Sequence, residues 1–135
     1  MSRVFSSSPV GQGFALAIVR IFIGAFLIYH GKEAFEAATM NKYLEWDIFK
    51  TSSGETMVYA GKITEFIAGI LLVLGLFTRI AALLVIGTLG YITFFIGKGV
   101  IWMDDQHPFM FVLVGFLFLF TGGGRFSLDY LIFKK

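Results

Sequence analysis

Three ionisable residues, Arg20, Lys62 and Glu65, lie inside long apolar runs of this 135-residue chain. A charge at the centre of a bilayer costs about 2.5–3.5 kcal/mol on insertion scales, so such residues are expected to be paired, hydrated or turned inward. At 1.5 Å of rise per residue, Arg20 and Glu65 lie within about 10 Å of the same depth. We therefore expect the two to meet, either in a polar pocket or proton path or as an ion pair that fixes helix register.

Lys62 and Glu65 are three residues apart, which places them on one face of a helix. Lys62 is close to the edge of its apolar run, so its ammonium group is expected to reach out to the membrane surface. Gly24 lies one turn beyond Arg20 and predicts a close approach by a neighbouring helix.

Two histidines add chemistry near the outer ends of the apolar runs. His30 ends the first run, and His107 precedes the fourth run close to Asp104; with Lys62 they are predicted to meet at one outer mouth. Aspartate and histidine together can shuttle protons or bind a metal. Two histidines in a chain without cysteine do not make a closed zinc site, so no metal is predicted. Pocket lining, protonation chemistry and plain interfacial polarity stay open.

The elements that must position these residues are transmembrane helices. Hydrophobic residues make up 57% of the chain and charged residues 15%, against roughly 25% charged in soluble domains. Four runs approach the ~20 residues that a spanning helix needs, at about 13–31, 57–77, 80–97 and 108–122. The prediction is an all-α polytopic membrane protein, with residues 1–135 forming one membrane domain built as an antiparallel four-helix transmembrane bundle.

Two segments outside the runs combine apolar and charged residues. The long connection 33–56 is expected to be an interfacial helix or lid on the outer side, or else a partly ordered polar loop. The segment 125–135 is expected to be a second interfacial segment. Positive charges are slightly more numerous on the side that holds both termini, which predicts a cytoplasmic N-terminus and C-terminus in a bacterial inner membrane.

Composition excludes several functions. A chain without cysteine offers no disulfide framework, thiol nucleophile or CxxC redox pair. A net charge of +2 without a dense basic run argues against nucleic-acid binding. No nucleotide-binding loop, zinc-protease motif or hydrolase elbow is present, so an autonomous catalyst is not predicted.

Several motifs occur in an order that resembles a known family. Arg20 opens the run RIFIG, which YHGK follows at 29–32. The run EFIAGILLVLGLFTR follows at 65–79, and GRFSLD closes the pattern at 124–129. Together they cover nearly the whole chain and are similar to the DoxX-like family of small membrane proteins.

The resemblance implies a four-helix integral membrane protein whose recurring polar positions fall here on Arg20, His30, Glu65 and Arg79. Some family members are subunits of quinone-reducing sulfur oxidoreductases, and others are associated with superoxide defence complexes. More distant relatives act as membrane chaperones or cargo receptors. A shared fold does not assign a reaction.

Three functions follow as hypotheses. In the first, the protein supports a quinone-linked redox complex, with Arg20, His30 and Glu65 bonding the quinone oxygens and passing protons. In the second, it is a non-catalytic scaffold that docks other membrane or extracytoplasmic proteins, or copies of itself, through 33–56. In the third, it transports protons or a small solute, although four spans are few for a transporter. Contact with the lipid bilayer is common to all three.

Overall fold

A computed structural model describes residues 5–46, 54–103 and 105–133 of the chain, and the regular structure of these residues is helical throughout. The helices are α1 (Gln12–Gly31), α2 (Ala37–Leu44), α3 (Gly54–Leu74), α4 (Thr78–Tyr91), α5 (Gln106–Thr121) and α6 (Leu128–Phe133). A 3-10 helix, Lys32–Phe35, joins α1 to α2, and a π-helical turn, Ile92–Ile96, extends α4. The predicted all-α fold class is confirmed.

Among the described residues, three stretches are long and apolar enough to cross a membrane: Gln12–Phe35, Gly54–Leu74 and Thr78–Ile96. The fourth apolar helix, α5, has 16 residues and is therefore about 24 Å long, somewhat shorter than a ~30 Å hydrocarbon core. The prediction of four spanning helices therefore holds approximately, with three full-length candidates and a shorter fourth helix.

Helix α3 begins and ends three residues earlier than the predicted second run, 57–77. Its end is a glycine cap, in which the Gly75 N–H donates to Leu72 O at 3.1 Å and the Leu76 N–H donates to Leu71 O at 2.9 Å. Gly75 takes a φ of 69°, as this cap requires. The chain thus reverses within three residues and enters α4 at Thr78.

The long helices pack in a fixed order. Helix α1 lies along α3, α4 lies along α5, and the contact between α3 and α4 joins the two pairs. Between these helices lies a core of small and medium-sized apolar side chains, comprising Leu27, Ala68, Leu72, Ala81, Val85, Leu89, Phe111 and Val112. The side chains on the opposite helix faces are largely exposed and apolar, as expected for surfaces in contact with lipid.

Two glycines let α1 and α3 approach closely. A Cβ atom on Gly24 would lie 2.7 Å from Gly69 O, and one on Gly69 would lie 2.6 Å from Gly24 O. Neither position has room for a methyl group, so the close approach expected at Gly24 is present and Gly69 is its partner.

The bundle has two chemically different ends. We call the end that carries His30 and His107 the histidine end, and the end that carries Arg20 and the turn 122–124 the arginine end. Helix α2 covers part of the histidine end, where Met40 is fully buried against Val58. This helix confirms the helical interpretation for the described part of the connection 33–56. Residues 47–53 of that connection lie outside the described part of the chain.

Candidate functional site

A network of polar side chains crosses the histidine end. Lys62 Nζ donates a hydrogen bond to Glu33 Oε1 at 2.9 Å, and the hydroxyl of Tyr43 donates to the same oxygen at 3.1 Å. The ammonium group also lies 4.7 Å from the centre of the Tyr43 ring, within the range of a cation–π contact. These contacts tie α3 to the segment that follows α1.

Glu65 lies next to this network but is not satisfied by it. Its side chain is 5% exposed, and the closest cation is Lys62 Nζ, 3.8 Å from Glu65 Oε2. That oxygen has no hydrogen-bond partner among the described residues. A buried acceptor without a hydrogen-bond partner costs about 1–3 kcal/mol. Glu65 Oε2 can therefore accept a hydrogen bond from a ligand.

The two histidines approach each other across α1 and α5. The ring centres of His30 and His107 are 5.8 Å apart, and His107 also makes an edge contact of 5.4 Å with Phe111. Asp104 is outside the described residues. The neighbouring Asp105 is engaged with its own loop, where its Oδ2 accepts from the N–H groups of Lys98 and Val100 at 2.9 and 2.8 Å.

A cleft of about 830 Å³ brings these groups together. His30, Lys62, Glu65 and His107 all line it, and its remaining lining is mostly apolar. The size falls within the roughly 300–1,000 Å³ of small-molecule sites, which typically combine apolar walls with a few polar groups. Within residues 5–46, 54–103 and 105–133, no cluster of histidine and carboxylate side chains is suited to hold a metal.

Arg20 does not belong to this cleft. Its guanidinium donates to three backbone carbonyls at the arginine end: Nε to Leu72 O at 2.7 Å, Nη1 to Gly123 O at 2.6 Å and Nη2 to Phe126 O at 2.8 Å. The expected contact between Arg20 and Glu65 is therefore wrong. The end of α3 and the segment 123–126 present backbone carbonyls on this side, and each of the three guanidinium nitrogens donates to one of them.

Arg79 and Asp129 also bond to backbone at the arginine end. Arg79 Nε and Nη2 donate to Leu119 O and Phe120 O, at 3.0 and 3.3 Å, and so cap the last turn of α5. The two carboxylate oxygens of Asp129 accept from the N–H groups of Phe77 and Thr78 at 2.6 and 2.8 Å, which caps the start of α4. Arg79 is thus placed as a structural residue, apart from the cleft.

The expectation that Lys62 reaches for the membrane surface needs a correction. Its ammonium group is directed to the histidine end, as expected, but it is paired there with Glu33 and the side chain is only 14% exposed. Sequence reasoning missed Glu33 and Tyr43 as site residues, since both lie in the connection assigned to the surface. The signal was available for Glu33, which follows the first apolar run directly and so lies at the same end as Lys62.

Glu36, beyond the spanning segment, shows how exposed charges behave at this end. Its carboxylate accepts from Lys32 Nζ at 2.9 Å and from Thr39 Oγ1 at 3.2 Å. These two hydrogen bonds lower the pKa of Glu36 below its ordinary value. The pair joins the end of α1 to the first turn of α2.

The fold and the apolar helix surfaces define an integral membrane protein. Residues 15–98 match the DoxX family. A protein of Haemophilus influenzae described as an uncharacterized protein is 32% identical over 133 residues, which cover 90% of this chain and 93% of that protein. No solved structure matches the chain. The chain belongs to the DoxX family, as the resemblance predicted.

Proposed function

We propose that this protein is a membrane subunit that holds the headgroup of an isoprenoid quinone in the cleft at the histidine end, in support of a quinone-linked redox complex. One observation carries the proposal: the buried carboxylate of Glu65, whose Oε2 has no hydrogen bond among the described residues, lines the same apolar cleft as His30 and His107. A quinone headgroup is a flat apolar ring with oxygens at opposite positions, which is the kind of ligand that such a lining suits.

Each polar group has a distinct part in this proposal. His30 and Lys62 donate hydrogen bonds to a quinone oxygen, while Glu65 accepts one from the hydroxyl of the reduced form. Tyr43 and Phe111 supply aromatic faces and edges for the ring. Arg20 has no part in binding, because it does not line the cleft and its guanidinium is held by backbone carbonyls at the arginine end.

The proposal includes a setting. The arginine end, which carries Arg79 and Arg125, faces the cytoplasm of a bacterium, so the cleft opens towards the outer side of the inner membrane. A partner protein on that side exchanges electrons with the bound quinone, because this chain contributes the binding site alone. The connection 33–56 lies at the same end and is the proposed contact with that partner.

The binding claim is tested by fluorescence quenching. The chain has two tryptophans, of which Trp46 lines the cleft and Trp102 is 82% exposed and outside it. In the purified Trp102→Phe protein, titration with a soluble benzoquinone should quench the remaining fluorescence saturably, and the corresponding quinol should displace it. Glu65→Gln should weaken the binding of the quinol, measured by this competition, by about tenfold or more, because the quinol hydroxyl loses its charge-assisted hydrogen bond to the carboxylate.

Glu55→Gln is the matched control, since Glu55 lies on the same helix and is exposed. It should leave the binding curve unchanged. Quenching that does not saturate, or displacement by the quinol that is identical in Glu65→Gln and Glu55→Gln, would overturn the proposal and leave the scaffold role as the better account.

A further inference from the structure

The cleft extends beyond its polar groups to the lipid-facing surface between α3 and α4. Gly61 on α3 and Gly87 on α4 both line it, and a Cβ atom on either glycine would meet nothing within 4 Å. This is the opposite of Gly24 and Gly69, where backbone fills the space. We call the space beside Gly61 and Gly87 the lateral gap.

The lateral gap lies at the depth of the hydrocarbon. Gly87 is nine residues before Ile96, the end of the third candidate span, which is ~14 Å along the helix axis. A bilayer core is about 30 Å thick, so the gap opens onto acyl chains rather than onto water. Leu83 and Tyr91, one turn to either side of Gly87, are both partly exposed there.

The route from the membrane surface, in contrast, is crossed by side chains. Tyr43 and Lys62 both bond to Glu33 across the histidine end, and Met40 seals α2 onto α3 at Val58. These contacts obstruct part of the route from the surface, whereas the lateral gap is bordered by glycines.

A gap between helices is not by itself a site, but this one joins an unsatisfied polar group. Glu65, 95% buried and without a hydrogen-bond partner at Oε2, lines the same cleft. One part of the cleft therefore requires a polar partner, and the other lies open to lipid. A ligand that fills both parts has a polar head and an apolar tail.

We infer that the ligand enters sideways from the bilayer and that its apolar tail stays in the lateral gap between α3 and α4. This rests on the proposed function and specifies its ligand class: a membrane-dissolved amphiphile, with Gly61 and Gly87 setting specificity for the tail. A water-soluble headgroup without a tail occupies only the polar part of the cleft.

The test compares two ligands in the same detergent: a tail-less dimethoxy-methylbenzoquinone and its decyl derivative. In the Trp102→Phe protein the decyl form should bind at least tenfold more tightly, since each buried methylene contributes roughly fourfold. Gly61→Leu and Gly87→Leu fill the gap and should each remove most of this advantage while leaving the tail-less quinone unaffected.

Ala25→Leu is the matched control, because Ala25 is exposed on α1 in mid-span and does not line the cleft. The ligands partition into detergent equally in the presence of this variant. It should therefore keep the full gain in affinity of the decyl form over the tail-less form. Thermal unfolding of each variant shows that its fold is intact.

Two failures are distinguishable. If the tail-less quinone binds saturably but the tail adds nothing, or Gly87→Leu weakens both ligands equally, the tail does not lie in the lateral gap, and the proposed function stands without this inference. If neither quinone binds saturably, the proposed function fails and the inference fails with it.

Discussion

The two ends of the bundle treat buried charge in opposite ways. At the arginine end, Arg20 is 2% exposed, and its Nε, Nη1 and Nη2 each donate a hydrogen bond to a backbone carbonyl. Both carboxylate oxygens of Asp129 accept hydrogen bonds from backbone N–H groups at the same end. At the histidine end, Glu65 is nearly as buried, yet Oε2 lacks a hydrogen bond and faces its cation from 3.8 Å.

This difference separates two uses of an ionisable residue in a membrane. A charge that is held by several backbone hydrogen bonds fixes helix ends and turns. A charge left short of partners costs free energy in the absence of ligand, and that cost is recovered when a ligand supplies the missing bond. An intramembrane charge is therefore assigned a function by its partners and not by its depth alone.

The largest effect is expected on removing the charge at the arginine end. Arg20→Met leaves Gly123 O and Phe126 O without their donor, at about 1–3 kcal/mol for each, while Leu72 O keeps the Gly75 N–H, so the free energy of unfolding should fall by more than about 2 kcal/mol. Thermal unfolding in detergent measures it. Arg125→Met is the control, because Arg125 is exposed and directly follows the turn 122–124 at the same end of the bundle. This variant should change the free energy of unfolding little. Equal free energies of unfolding for the two variants would contradict the structural role of Arg20.

The same kind of substitution at the histidine end should have the opposite sign. Glu65→Met removes a buried carboxylate whose Oε2 has no hydrogen bond among the described residues, and Lys62 keeps its ion pair with Glu33, so no buried charge is left without a partner. The variant should unfold at the same or a higher temperature and lose quinol binding. A loss of stability as large as that of Arg20→Met would show that both charges hold the fold.

A smaller effect is expected for the cap on α4. Asp129→Ala removes the acceptor of two N–H groups at the helix start, and loss of such a cap costs about 0.5–2 kcal/mol. Because the cap lies far from the cleft, quinone affinity should not change. A drop in affinity that exceeds the drop in stability would couple the two ends and break the contrast between them.

These contrasts were only partly predictable from the sequence. Hydropathy is enough to locate the apolar helices. Gly24 predicts the close approach of a neighbouring helix, because a small residue within a membrane span lets two backbones pack together. The partners of Arg20 were not predictable, since carbonyls at a helix end have no side-chain signature. The pairing of Lys62 with Glu33 depends on the 3-10 turn Lys32–Phe35, which directs the chain back over α3.

The smallest effect concerns an exposed charge at the histidine end. Hydrogen bonds from Lys32 and Thr39 lower the pKa of Glu36, so its contribution to stability is present above the ordinary glutamate pKa and is lost as the pH falls through the lowered value. Thermal unfolding of wild type and Glu36→Gln should differ slightly at neutral pH and converge in acid. A difference that grows in acid would reverse the sign and contradict this assignment.

The most direct test of the cleft as a ligand site is photolabelling. An azidoquinone with an isoprenoid tail, activated in membranes that contain the protein, should label residues that line the cleft on α3 and α4, and excess unlabelled quinone should suppress the labelling. Peptide mapping by mass spectrometry locates the adducts. Labelling spread over the lipid-facing surface of α5, or labelling at the cleft that excess quinone does not suppress, would contradict the account.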